Sequence, residues 1–205
     1  LARYVGSHPM AGSERSGPLA ASATLFEGRP CAVTPHGGSD PAAVAAVVEV
    51  AEACGAVTLT MSPGEHDRAV ARTSHLPHLM AVLVASRLAE APREQLALSG
   101  QGVRDVTRVA GGDPALWQQI VVANAAAVAD LLREVRTDLD GLIGAVETGA
   151  PLVPVLDRGV AGVRAIPGKH GGPPAETSLV VVAVPDHPGD LARLFADAGE
   201  IGVNI

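Results

Sequence analysis

The chain has 205 residues, room for one ordinary domain or for one domain with pieces of others. Hydrophobic residues make up 47% of it, yet its aromatics are only Tyr4, Phe26, Trp117 and Phe195, so the core is built from Ala, Val and Leu, which suits packed helices and short buried strands better than an aromatic-rich β-sandwich. Lys and Arg number 15 against 22 Asp and Glu, a net charge of −7 without a basic stripe, which excludes a nucleic-acid backbone as main partner.

In chain order, a strand is expected to end just before His8. Pro30 to Pro35 (PCAVTP) reads as a short buried strand closed by a turn. Ser39-Asp40-Pro41 then starts a helix, with a capping side chain followed by proline in the first turn, where the missing N–H costs nothing. Ala42 to Ala53 is the helix and Gly55 its C-terminal stop. From Glu65 to Ala91 the apolar spacing of Val70, Leu76, Leu79, Met80, Leu83 and Val84 predicts a long helix, kinked or restarted near Ser74 by Pro77. Asp113-Pro114 opens another helix through Leu132, and Asp138 to Glu147 supplies one more. After Val155 the glycines and prolines read as a linker. Ser178 to Pro185 (SLVVVAVP) predicts a strand, Gly189 to Ala198 an amphipathic helix, and GVNI the start of a second strand.

Two cysteines, Cys31 and Cys54, make neither a disulfide framework nor a four-ligand zinc site, which fits a reducing cytoplasm. No apolar run approaches the ~20 residues needed to span a bilayer, and no membrane association is expected.

Four clusters could carry chemistry. His8 lies among small residues (GSHPMAGSE), where it either caps a turn or serves as a base with a pKa suited to proton transfer near neutrality. His75 and His78, in SHLPH, are three apart and share a helical face; a metal pair would need a third ligand, and the nearest candidate, His66, has no recognised metal spacing, so no metal is expected. Arg108, in RDVTR, can hold a carboxylate bidentately with Asp105 as its orienting partner, or belong to a solvated charge cluster. Trp117, the single tryptophan, is either core or the wall of a site. A dinucleotide fingerprint is missing: Gly100-Gln101-Gly102 lacks the third glycine and no strand precedes it.

Taken together and in this order, GSHPMAGSERSG, EHD, SHLPH and RDVTRVAGGDPALWQQI resemble prephenate dehydrogenase of the TyrA family, and IPGKHGG with VVVAVPDHPGDLARLFADAGEIGVNI resembles the linker and opening βαβ of an ACT regulatory domain. The resemblance runs from Tyr4 to Ile205. It implies an NAD-dependent oxidoreductase that oxidises and decarboxylates prephenate to 4-hydroxyphenylpyruvate on the route to tyrosine. His8 matches the catalytic base and Arg108 the substrate-carboxylate arginine. His78 matches a helical histidine near the substrate, with His75 structural beside it. Ser13, Glu14 and Asp105 match residues around the pocket entrance, and Trp117 a tryptophan that a partner subunit can contribute.

The implied fold is mainly α. Residues 1–63 are the C-terminal part of a Rossmann domain, 64–155 a helical substrate-binding and dimerisation domain, 156–177 a linker, and 178–205 the start of a βαββαβ ACT domain. Both ends look like cuts in a longer protein, with the cofactor's glycine-rich loop upstream of Leu1. A homodimer and a tyrosine or other amino-acid effector at the ACT segment are implied as well. Two other readings stand beside this one: an arogenate or dual cyclohexadienyl dehydrogenase, and a non-catalytic dimerisation and amino-acid-sensing module.

Overall fold

The computed structural model describes residues 1–12, 21–167 and 180–203. The chain divides into two compact units, Leu1–Gly172 and Pro173–Ile205.

The first unit opens with a three-stranded sheet of order β1-β2-β3: β1 (Gly6–Pro9), β2 (Pro30–Thr34) and β3 (Val57–Thr60). The central strand β2 pairs antiparallel with β1, setting His8 opposite Ala32, and parallel with β3. A parallel pair needs a crossover, and helix α1 (Pro41–Ala53) makes it. Burial on both sides explains why β2 is a run of small and β-branched residues, with Cys31, Ala32 and Val33 inaccessible to solvent. Asp40 caps α1 by accepting the Ala42 N–H at 2.9 Å, with Pro41 in the first turn as expected. Beyond the helix Gly55 has φ +82°, and a side chain there would press on Glu27 Cγ at 3.0 Å, so only glycine suits the turn into β3. The strand VTLT itself carries too little patterning to be seen in the sequence. His8 lies inside β1 rather than after a strand end, because its pairing partner on β2 is 24 residues away in the chain.

A helical layer follows. Ser62 and Glu65 form a reciprocal capping box that starts α2 (Pro63–Val70). The helix then widens into a π-turn, Ala71–His75, before α3 (Leu76–Ser86). This is the interruption that Pro77 predicts: with no N–H to give, proline cannot continue the α-ladder, and the Leu76 N–H reaches back to the Ala71 carbonyl instead. Two short helices, α4 (Arg93–Leu96) and α5 (Gln101–Thr107), lead into a 3₁₀ turn, Arg108–Gly111.

Asp113 caps α6 (Pro114–Ala123) by accepting from the Ala115 and Leu116 N–H groups at 2.8 and 3.3 Å. The expected helix through Leu132 is corrected here. It breaks at Asn124 (φ −120°, ψ 32°), turns by 95°, and continues as one long α7 (Ala125–Thr148) that absorbs the separate stretch expected from Asp138. The cause is a tertiary bond, Asn124 Nδ2 donating to the Asp67 carbonyl at 2.7 Å, which no local pattern announces. The core beneath consists of Ala71, Val128 and Leu131, against which Leu76, Leu79 and Val121 pack.

The first part of the linker expected from 156 is helical instead. Val153–Arg164 forms α8, started by Pro154 in its first turn and tied to α7 by Arg158 donating to Asp138 at 2.9 Å. Gly159 and Gly162 each cost about 1 kcal/mol of helix propensity, which this setting tolerates. Residues 168–179 lie outside the described residues.

In the second unit, α9 (Asp190–Glu200) forms where the amphipathic pattern placed it. The expected strand from Ser178 is not paired among the described residues: 180–185 are non-regular, with Val180 77% and Val181 83% exposed. A strand without a neighbour has no hydrogen-bonded ladder to hold it. The expected second strand at GVNI lies partly outside the described residues, and its Gly202 and Val203 form no strand. Among the described residues no single helix is long and apolar enough to cross a membrane; α6 and α7 reach that composition only as a bent pair.

Replacing Asn124 with Ala removes the side chain that holds the α6–α7 bend, and is expected to destabilise the protein by about 1–2 kcal/mol in urea unfolding. An unchanged midpoint would show that packing alone sets the bend.

Candidate active site

A cavity of about 500 Å³ opens between β1 and the helical layer. Its polar lining comes from His8 on β1, Ser74 on the π-turn, His78 on α3, Arg108 on the 3₁₀ turn and Trp117 on α6. A second cavity, of about 380 Å³, is lined by Pro9, Phe26, Val47, Val50 and the two cysteines, and offers neither cation nor base. Of these two, the first brings a candidate base and a cation together.

His8 is open to the cavity on one side. On the other its Nδ1 lies 2.9 Å from His66 Nε2, the two rings meeting edge to face. His66 in turn donates from Nδ1 to the Asp67 carboxylate at 3.0 Å. Partial burial, and secondarily the neighbouring His66, lower the His8 pKa from its ordinary 6.5, so the ring is neutral and able to accept a proton at pH 7.

His78 is 5% exposed and stacks flat on Trp117, ring centroids 3.4 Å apart and planes within 8°. Burial lowers its pKa, partly offset by the Val109 backbone. Its Nδ1 is buried and makes no hydrogen bond of good geometry among the described residues, which costs about 1–3 kcal/mol. His75 is buried with its ring edge to face with Trp117, centroids 6.3 Å apart, and Asn124 Nδ2 lies 3.4 Å from its Nδ1; burial, then the proximity of His8 and His66, lower its pKa against the pull of Asp67.

The stack depends on glycine. A Cβ on Gly112 would stand 2.6 Å from Trp117 Nε1 and 3.4 Å from His78 Cε1, so the absent side chain is the space in which the indole lies.

Arg108 lines the cavity and is exposed, and no carboxylate among the described residues pairs with it. Asp105, expected as its orienting partner and at the pocket entrance, lies outside the cavity lining and accepts from Gln101 Nε2 at 2.8 Å. One helical turn separates the two residues in sequence, but the switch from α5 to the 3₁₀ turn comes between them. Trp117, likened to a tryptophan that a partner subunit can contribute, lines the cavity and stacks on His78 of the same chain. Ser13 and Glu14 lie outside the described residues. The contact that the sequence reading missed is His66 with His8: 58 residues separate them, and no spacing rule joins a strand to a helix at that range. Among the described residues no group of three or more metal-ligating side chains could hold a metal ion.

The cavity's donors suit a ring that carries a hydroxyl and a carboxylate: a neutral base, a cation and a flat aromatic wall. They do not form a phosphate cradle, since the sequence holds no G-x-G-x-x-G turn.

Comparison with known proteins gives two family matches. A model described as the prephenate dehydrogenase nucleotide-binding domain matches residues 1–60, and one described as the prephenate dehydrogenase dimerization domain matches 62–151. The Streptomyces niveus protein NovF, named a probable prephenate dehydrogenase, is 40% identical over 99% of this chain and 60% of its own length. A Bacillus subtilis prephenate dehydrogenase is 30% identical over 95% of this chain and 54% of its own length. The crystal structure of Aquifex aeolicus prephenate dehydrogenase in complex with hydroxyphenyl propionate and NAD+ superposes with a TM-score of 0.70 at 31% identity, over 80% of this chain and 58% of that one. The chain thus spans little more than half the length of these relatives.

Replacing Gly112 with Ala should push Trp117 off His78. Because this is the single tryptophan, its emission reports the displacement directly. A shifted spectrum with unchanged far-ultraviolet circular dichroism is expected, with an overpacking cost of about 1–3 kcal/mol; an unmoved spectrum would contradict the packing described.

Proposed function

The chain belongs to the prephenate dehydrogenase family, and from that premise we propose that it carries the substrate half of an NAD-dependent enzyme that oxidises and decarboxylates prephenate to 4-hydroxyphenylpyruvate. The observation that carries this reading is the meeting of His8, Arg108 and the His78–Trp117 stack around one cavity, from four separate elements. When bound, NAD supplies the hydride acceptor.

The chain's own residues divide the remaining work. His8 takes the proton of the ring 4-hydroxyl; its lowered pKa keeps it unprotonated at neutral pH, and such a base contributes roughly 10²- to 10⁴-fold to rate. Arg108 holds a substrate carboxylate in a two-pronged ion pair. The ring of the substrate lies against the His78–Trp117 wall. Loss of the ring carboxylate as carbon dioxide leaves the electron pair that makes the product ring aromatic.

Further parts of the same reading concern partners and location. A homodimer would cover the exposed apolar side chains of α7 and α8, among them Leu139, Ile143, Leu156, Val160 and Val163. Residues 178–205 are read as the start of an ACT domain with tyrosine or another amino acid as effector, supported by α9 lying between two valine-bearing segments. The free thiols of Cys31 and Cys54 suit the cytoplasm.

In the active enzyme, His8→Asn is expected to lower kcat by at least 10²-fold with prephenate still bound. Arg108→Ala should raise KM for prephenate by about 10- to 100-fold, the worth of a charged hydrogen-bond pair. Unchanged turnover in the first variant, or an unchanged KM in the second, would remove that residue from its role. Sedimentation at micromolar concentration should give a dimer; a monomer would leave the α7–α8 face needing another partner.

A further inference from the structure

The structure joins three side chains in line: the Asp67 carboxylate, His66 and His8, with His66 making 3.0 Å and 2.9 Å contacts from its two ring nitrogens. An ionised carboxylate only accepts hydrogen bonds, so the His66 nitrogen facing it, Nδ1, carries the hydrogen. In a neutral imidazole the other nitrogen, Nε2, then offers a lone pair. The His8 nitrogen facing that lone pair, Nδ1, must be the donor. What remains for the substrate is His8 Nε2, unprotonated.

We infer that Asp67 and His66 are positioning residues that hold His8 in its Nδ1–H tautomer and present Nε2 as the base. The inference rests on the functional reading of His8 given above and adds to it two residues that touch no substrate. A neutral histidine free in water favours the opposite, Nε2–H form, which would aim a proton where the reaction needs a lone pair. The relay removes that choice before substrate arrives. It is anchored at both ends: Asn124 donates to the Asp67 carbonyl at 2.7 Å, and β1 pairing with β2 fixes the His8 backbone. His75, the third histidine of this cluster, is held on the far side by Asn124 and takes no part in the line.

The test reads the tautomer directly. In protein labelled with ¹⁵N at histidine, long-range ¹H–¹⁵N correlations at pH 7.5 distinguish a protonated from a bare ring nitrogen. His8 is expected as Nδ1–H in the parent protein, and shifted toward Nε2–H in His66→Ala. In His66→Gln, whose amide oxygen can still accept, it should return to Nδ1–H. Turnover should follow: kcat down by roughly 10- to 100-fold in His66→Ala, short of the loss from deleting the base itself, with KM for prephenate unchanged and most of kcat restored in His66→Gln. Nε2–H in the parent protein, or a tautomer indifferent to the loss of His66, overturns the relay. Should His66→Ala fail to fold, the parent and His66→Gln spectra decide alone. The two readings also fail separately: Nδ1–H in a protein that does not oxidise prephenate refutes the function and leaves the relay, whereas prephenate oxidation with His8 as Nε2–H refutes only the relay.

Discussion

Pro77 has no N–H to offer the α-ladder, and the helical run from Pro63 to Ser86 answers with one wide turn at Ala71–His75. The consequence is rotational. Residues twelve apart, such as His66 and His78, stand about 120° apart around an unbroken α-helix at 100° per residue. A π-turn absorbs one residue, so the offset falls to roughly 20°. His66 and His78 thereby come to one side of the run, His66 against His8 and His78 in the cavity wall, while His75 turns into the core beside Asn124. Without the proline's constraint the histidines would be distributed around the helix.

Two further ties convert that face into a site. Asn124 breaks a helix to bond the Asp67 carbonyl, drawing α6 and α7 against α2 and the π-turn, and α6 brings Trp117 over His78. Gly112, at the end of the 3₁₀ turn, leaves the gap that the indole fills. The same turn carries Arg108, so the cation and the aromatic wall reach the cavity from one short stretch of chain. With aromatics so scarce, a tryptophan at a cavity wall is a departure from a core made of Ala, Val and Leu.

The electrostatics of the cavity differ from those of the chain as a whole. The net charge is −7, yet the titratable groups that line the cavity among the described residues are two histidines whose pKa burial lowers and one arginine without a carboxylate partner among those residues. Neutral bases beside a lone cation favour an anion that must also give up a proton. Among the described residues no carboxylate lines the cavity, and the nearby Asp67 pairs with His66 outside the lining.

Local chemistry alone determined a good deal of this. Asp40-Pro41, Asp113-Pro114 and Pro77 each announce a helix start or interruption, because a capping side chain or a missing N–H acts within one turn of itself. The order of the histidine, arginine and tryptophan clusters was likewise legible, and with it the family. The unpatterned strand β3, the break at Asn124, helix α8 in a glycine-rich stretch and the stack of Trp117 on His78 were not, since each is set by a partner far away in sequence or by packing that outweighs propensity. Above all, His66 looked like a stray ligand candidate and became the neighbour of His8. Whether a histidine gives or takes a proton depends on what faces each of its two nitrogens, and only the tertiary fold, by laying β1 against α2, could decide that.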